Sequence, residues 1–189
     1  EETQNLLIPR LESLNFSFEG MDRFKPWYVG LKIREKVLKN RGYLPENGMD
    51  YYFLEKAGEK KRVRELERVK EKVAFLNSLS MSEQEAYLLA TFWELELRKK
   101  SSAEIFAAWS WGDEESMDAI FSRAAREQGN GGDFYREVLH RRNQRFAEKI
   151  EGFLEGEGSY FVVVDASHLA GEKGIVNLLV EKGFTAQQL

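Results

Sequence analysis

The spacing of apolar positions along the chain is mostly helical. Phe24, Trp27, Tyr28, Leu31 and Leu38 recur at intervals of three, four and seven residues around Pro26, a residue suited to a first helical turn. They predict one apolar stripe on one helix. Gly48-Met49-Asp50 introduces a short helix carrying Tyr52, Phe53 and Ala57, and Val69, Val73, Leu76 and Leu79 mark another. Ser82 with Glu85, and Ser101 or Ser102 ahead of Glu104, have the form of capping boxes, which satisfy the free N–H groups of a first turn. Trp93 shares a stripe with Leu89 and Phe92, which predicts core packing. The run from Ala107 to Trp111 reads as a helix ending near Gly112. Asp113-Glu114-Glu115 then opens the helix bearing Met117, Ile120, Phe121 and Ala124, with acid where the helix dipole favours it. Gly129-Asn130-Gly131-Gly132 predicts a loop, followed by a long helix from about Asp133 to Phe153.

A shorter set of segments has strand character. Arg62-Val63-Arg64-Glu65-Leu66 alternates, and Tyr160-Phe161-Val162-Val163-Val164 is a continuous β-branched and aromatic run of the kind buried on both faces. Ile175, Leu178 and Leu179 predict a short helix that Gly183 terminates, with Phe184-Thr185-Ala186 as a last strand. Each strand–helix–strand passage needs a parallel neighbour, and three short parallel strands make a poor sheet alone. The expected fold is therefore α/β and mainly helical. A small parallel sheet carries a large helical insertion, and further strands are supplied from elsewhere.

Composition narrows the functional classes. At 189 residues the chain has the size of one domain or of most of a larger one, and 42% apolar residues suffice for a continuous core. A net charge of -4 argues against a nucleic-acid partner. The basic run Lys60, Lys61, Arg62, Arg64 and Arg68 is interleaved with Glu55, Glu59, Glu65, Glu67 and Glu71, as on a solvated surface. The lack of cysteine excludes disulfides, thiolate metal sites and cysteine nucleophiles. No apolar stretch approaches the roughly 20 residues of a membrane span. The opening Glu1-Glu2-Thr3-Gln4 shows no signal peptide, so any leader or upstream domain is expected to be already removed or never present.

Candidate chemistry collects at three places. The valine-rich strand runs into Asp165-Ala166-Ser167-His168-Leu169-Ala170-Gly171, at the strand end where ligands gather in open α/β sheets. His168 there suits a metal ligand, a general base, or a histidine that merely hydrogen-bonds its loop. On the long helix, Leu139, Phe146, Ile150 and Phe153 form the apolar stripe, and Arg142-Asn143 falls on it. Arg141, Gln144, Arg145, Glu148 and Lys149 take the outer face. An inward guanidinium needs a carboxylate or several carbonyls. Arg142 either staples the helix to a strand end or orients a functional carboxylate. Glu67, closing the first strand, is a carboxylate able to reach the same rim. His140 reads as a surface residue. The absence of a His-x-x-x-His pair speaks against a complete metal site within the chain.

In order along the chain these segments resemble the TraB/GumN family, to which the Tiki proteases are related. The matching landmarks are Lys25-Pro26-Trp27, Gly48-Met49-Asp50 with Ala57, Leu66-Glu67, Trp109 with Gly112-Asp113, Arg142-Asn143 with Phe146, and the turn from Asp165 to Gly171. That turn answers the family's Gly-x-Gly-His-Leu-x-Gly, with Asp165 and Ser167 in place of glycines. The family's first Gly-x-x-His motif and an early glutamate have no counterpart. The chain therefore resembles the C-terminal part of one such domain over residues 1–189, with a Tiki/TraB/EreA-ChaN-like core incomplete on its N-terminal side.

The resemblance implies a metal-dependent hydrolase, and its Tiki branch implies a peptidase acting on a peptide or protein with a divalent ion (manganese, cobalt or zinc). His168 and Asp165 are then the expected metal ligands, Glu67, Arg142 and Asn143 the catalytic group, and Asp50 a binding residue. A homo-oligomer, or a segment outside the chain, is the expected source of the missing half. The other class open to the same fold is a non-catalytic protein that binds a peptide or a partner in a regulatory role.

Overall fold

The computed structural model describes residues 8, 9, 11, 12, 20–128 and 130–188. Its α-helices are α1 (Pro26–Asn40), α2 (Met49–Ala57), α3 (Val69–Ser78), α4 (Met81–Lys100), α5 (Ser102–Trp111), α6 (Glu114–Gln128), α7 (Asn130–Leu154) and α8 (Ile175–Glu181). The core is built on α4 and α7. Helix α4 packs against α1, α5 and α7, while α7 also meets α6 and α8.

Local sequence explains the helix ends. Ser80 caps α4: its hydroxyl accepts from the Glu83 amide, and the Glu83 carboxylate accepts from the Ser80 amide. The capping box thus lies two residues before the predicted Ser82–Glu85 pair. The Asp113 carboxylate accepts from the Ser116 amide at the start of α6, and left-handed Gly112 closes α5.

Burial corrects the predicted face of α1. Trp27, Val29, Ile33 and Val37 point inward, whereas Phe24 and Tyr28 are exposed. The i, i+4, i+8 row of Val29, Ile33 and Val37 meets Leu88, Phe92 and Leu95 of α4, with Leu11 beside them. A second cluster joins Trp93 and Leu97 of α4 to Ala108, Met117, Ile120 and Ala125, and Trp93 packs as expected. The predicted loop at 129–132 is also corrected. Asn130 to Gly132 form the first turn of α7, while Gly129 lies outside the described residues. A Cβ on Gly132 would collide with the backbone of Ala125, so this glycine permits a close crossing of α6 and α7.

The expected parallel sheet is absent. The described residues are helical or irregular, with no strand among them, so the fold is all-α rather than α/β. Residues 62–66 and 160–164 do run without helical structure, and they lie near each other. Leu66 and Val164 both pack on Phe146, Ile150 and Ile175, and the Arg64 guanidinium stands over the Phe153 and Tyr160 rings. Among the described residues, neither run makes a backbone–backbone hydrogen bond. A strand is stable only when a neighbouring backbone takes up its N–H and C=O groups, and β-rich composition alone does not supply one. Phe184 is no strand either, because its amide turns back to the Leu179 carbonyl and closes α8.

Candidate functional site

Helix α7 presents Arg142, Asn143 and Phe146 within about one turn, and each meets a different segment. Arg142 forks onto Glu67, with Nη2–Oε2 2.9 Å and Nε–Oε1 3.4 Å, and Arg145 adds a longer pair at 3.7 Å. The Glu67 side chain is only 7% exposed, so these guanidiniums are what make its burial tolerable. Lys149 ties the same segment down by donating to the Leu66 carbonyl and to Glu71. Arg145 and Lys149, expected on the outer face, thus belong to the inner one. Leu66 itself packs on the apolar cluster below, which sets Glu67 at the surface of α7.

Asn143 is the pivot of the second arm. Its Nδ2 donates to the Lys173 carbonyl at 2.7 Å, and its Oδ1 lies 2.5 Å from His168 Nδ1. Since Oδ1 can only accept, the imidazole must carry its proton on Nδ1, leaving the Nε2 lone pair free. Among the described residues, the contact with Asn143 is the hydrogen bond that the ring makes. Both side chains are buried, and Phe146 lies 5.1 Å from the imidazole, centroid to centroid. Burial first, and then the Arg142 charge, push His168 down to about 4, although Asp165 and Glu67 pull the other way. The ring is neutral at physiological pH.

Asp165 sits at the start of this turn, but its carboxylate is committed. Oδ1 accepts from the Ser167 amide at 3.0 Å, and Oδ2 faces Arg98 Nη2 at 3.5 Å. Partial desolvation works to raise its pKa, yet Arg98 and the Ser167 amide outweigh that and hold it below the usual carboxylate range. Gly171, at φ +80, closes the turn where a Cβ would run into the Asp118 carboxylate.

The structure therefore brings Glu67, Arg142, Asn143 and His168 into one neighbourhood, with Asp165 at its margin. Asp50 is not part of it. It lies on the exposed helix α2 and makes no hydrogen bond or ion pair with these groups among the described residues. His140, expected at the surface, is half-buried. Among the described residues its Nδ1 has no hydrogen-bond partner, and the residue lines a cavity of about 380 Å³ with Trp93, Tyr135, Asn143 and Ser167.

The other half of the polar seam was missed from sequence. Glu94 of α4 is buried, and its Oε1 receives both Arg34 Nη2 of α1 at 3.2 Å and Arg98 Nε at 2.9 Å. Tyr135 faces this group, and its hydroxyl is held protonated by burial and then by the Glu94 charge. Lys72 and Tyr87 lie within electrostatic reach of both Arg34–Glu94 and Arg142–Glu67. The signal was present at Glu94, a single acid inside Leu88-Leu89-Ala90-Thr91-Phe92-Trp93-Glu94-Leu95. A charge set among apolar residues singles out Arg142, and Glu94 meets the same test.

Among the described residues no three His, Cys, Asp or Glu side chains are grouped so as to hold a metal ion. No described helix is long and apolar enough to cross a membrane. In comparisons with known proteins, no curated protein and no solved structure matches the chain. The profile of the TraB/PrgY/gumN family matches residues 1–188. With a match over essentially its whole length, the chain belongs to the TraB/PrgY/gumN family.

Proposed function

We propose that this chain is a hydrolase that acts on peptides with the help of a divalent ion (manganese, cobalt or zinc), and that His168 supplies one ligand to it. The supporting observation is the oriented, neutral imidazole of His168, whose Nδ1–H is engaged by Asn143 Oδ1. A ring that titrates near 4 is a weak general base at neutral pH, but its free nitrogen suits a metal. An acceptor behind the other nitrogen is the usual support of a ligating histidine. The described residues fit one ligand position and not a closed site, because Asp165 and Glu67 are engaged by arginines and no group of three donors exists among them. When bound, such an ion polarises a carbonyl and acidifies water. Asn143 acts as a positioning residue. Arg142 commits Nε and Nη2 to Glu67, which leaves Nη1 for a substrate carbonyl.

The same shortage of donors favours a second reading, a non-catalytic protein that binds a peptide or partner on this fold. One experiment separates the two. A mixed peptide library is incubated with the full chain in manganese, cobalt, zinc or chelator, and products are read by mass spectrometry. Metal-dependent cleavage that His168→Ala abolishes supports the hydrolase. Saturable peptide binding without any turnover sinks it and supports the binding protein.

A further inference from the structure

The cavity beside His140 has walls that follow from helical spacing. Asp118 and Phe121 of α6 stand three residues apart and share one face of their helix, while Tyr135, Leu139 and Asn143 of α7 recur every four residues on another. Trp93 of α4 and Ser167 of the turn complete the enclosure of about 380 Å³. Asn143 belongs to this wall and also holds His168, so the cavity adjoins the candidate site.

Asp118 is the unusual member of the wall. Met117 and Ile120 of the same helix are buried in the core, and Asp118 between them is half-buried at the edge of that face. Its carboxylate stands against Gly171, in space that any side chain at position 171 would need. Among the described residues it accepts one long hydrogen bond, from Ser122 Oγ at 3.4 Å, and forms no ion pair. Glu67, Glu94 and Asp165 each have an arginine. A partly desolvated carboxylate without a cation is costly, and Asp118 alone of these four is left that way. On the α7 wall, His140 Nδ1 is likewise buried without a hydrogen-bond partner among the described residues.

The rest of the lining fits the same charge. Asp133, Glu137 and Glu172 join Asp118 against Arg136 and Lys173, and these two cations are exposed and pair with none of the four acids among the described residues. Trp93, Phe121 and Tyr135 supply aromatic rings, with Trp93 and Tyr135 in an edge-on contact at 5.1 Å. A ring attracts a cation through its quadrupole, and an unpaired carboxylate attracts it by charge. Rings and an unpaired carboxylate in one concave site suit an ammonium group and disfavour an anion.

We infer that this cavity receives the primary ammonium of a peptide on Asp118, from the peptide's amino terminus or from a lysine side chain. The two sources share one chemistry: N–H donors with a single positive charge, which supply the counterion that Asp118 lacks. That the ligand is a peptide rests on the function proposed above, whereas the preference for a cation rests on the cavity alone.

The test is calorimetric titration of the full chain in chelator at low salt. The probes are an alanine tripeptide amide with a free amino terminus, its N-acetylated form, and an N-acetylated tripeptide amide with a central lysine. The expected result is a Kd of about 1 mM or tighter for at least one ammonium-bearing probe, with the acetylated alanine peptide about tenfold weaker or more. Asp118→Asn brings the ammonium-bearing probe within about threefold of the acetylated one. Glu115→Gln, which removes the same charge from the exposed start of α6, leaves the preference unchanged. Tighter binding of the free amino terminus identifies that source, and tighter binding of the lysine probe identifies the side chain. If Asp118→Asn does not fold, thermal shifts of the unaltered chain decide, because the ammonium-bearing probe should raise Tm and the acetylated alanine peptide should not. Equal binding of all three probes, binding by none, or a preference that survives in a folded Asp118→Asn variant overturns the inference. Turnover plays no part in chelator, so a failed cleavage assay leaves this result standing. Metal-dependent cleavage that is indifferent to acetylation and to lysine removes this inference and leaves the hydrolase.

Discussion

Helices α1 and α4 meet each other through two faces of opposite character. One face is dry: Ile33 and Val37 of α1 lie against Leu88, Phe92 and Leu95 of α4. The other, further round each helix, carries Arg34, Glu94 and Arg98. The two differ in what a small change does to them. Apolar contacts are non-directional and summed over area, so the dry face has no special partner to lose. On the polar face each buried charge depends on a named counterion, and removing one strands another. A fold that needed only stability would have extended the dry face across both. The polar face is held by pairing rather than by buried apolar area.

The largest effect that tests this contrast belongs to the dry face. Ile33 is wholly buried, and Ile33→Ala leaves a cavity among side chains that cannot collapse freely. The expected loss is about 3–4 kcal/mol in urea denaturation. A loss below about 1 kcal/mol would mean that the face is not sealed.

Glu94→Gln comes next. The amide side chain would still fill the space, but two guanidiniums would lose the charge they share. Because the Arg34 and Arg98 side chains stay 38% and 30% exposed, water recovers part of the deficit, and the expected loss is about 2–3 kcal/mol. Added salt should shrink the difference from the unaltered chain, whereas the Ile33→Ala difference should not move. Equal salt responses would erase the distinction between the faces.

His168 offers a pH test of the same seam. Its folded pKa, about 4, lies below its ordinary value of 6.5, so the unfolded chain binds the extra proton first as pH falls. The stability is therefore fully present above 6.5 and is lost between 6.5 and 4. Between about pH 7 and pH 5 the expected loss is about 2 kcal/mol. Urea midpoints at both values, compared with His168→Gln, check it. The variant should be flatter across this window, and an equally steep response in the variant would remove His168 as the cause.

Much of the seam was legible because the sequence places charges where apolar residues belong. Arg142 and Asn143 fall on the stripe of Phe146 and Ile150, and the structure gives Arg142 the Glu67 partner and Asn143 the His168 partner. Glu94 obeys the same rule but was hidden in a helix whose core face was read from Leu89, Phe92 and Trp93. Lys72 was hidden for a different reason. It stands in a stretch dense with Lys, Arg and Glu, where no local pattern separates a solvated lysine from one turned inward. The role expected for Asp165 could not anticipate Arg98, which lies 67 residues away in sequence. The sheet failed for a more general reason. Side-chain propensity favours extended backbone, but hydrogen-bonded neighbours complete a strand, and those are not a property of the segment itself.

That last difference gives the smallest expected effect and a direct way to sharpen the fold. In amide hydrogen exchange, the interior of α4 around Phe92 should be strongly protected, because its N–H groups are buried and bonded within the helix. Residues 160–164 have no backbone partner among the described residues and should exchange close to the rate of an open chain. Phe161 is 74% exposed and meets Phe53 in a single ring contact at 4.8 Å. Phe161→Ser should therefore cost less than about 1 kcal/mol. A large loss there, with slow exchange at Val162 and Val163, would show that this run pairs in solution and that the valine-rich segment is a strand after all. Fast exchange with little loss would leave helix packing alone as the frame that holds His168 against Asn143.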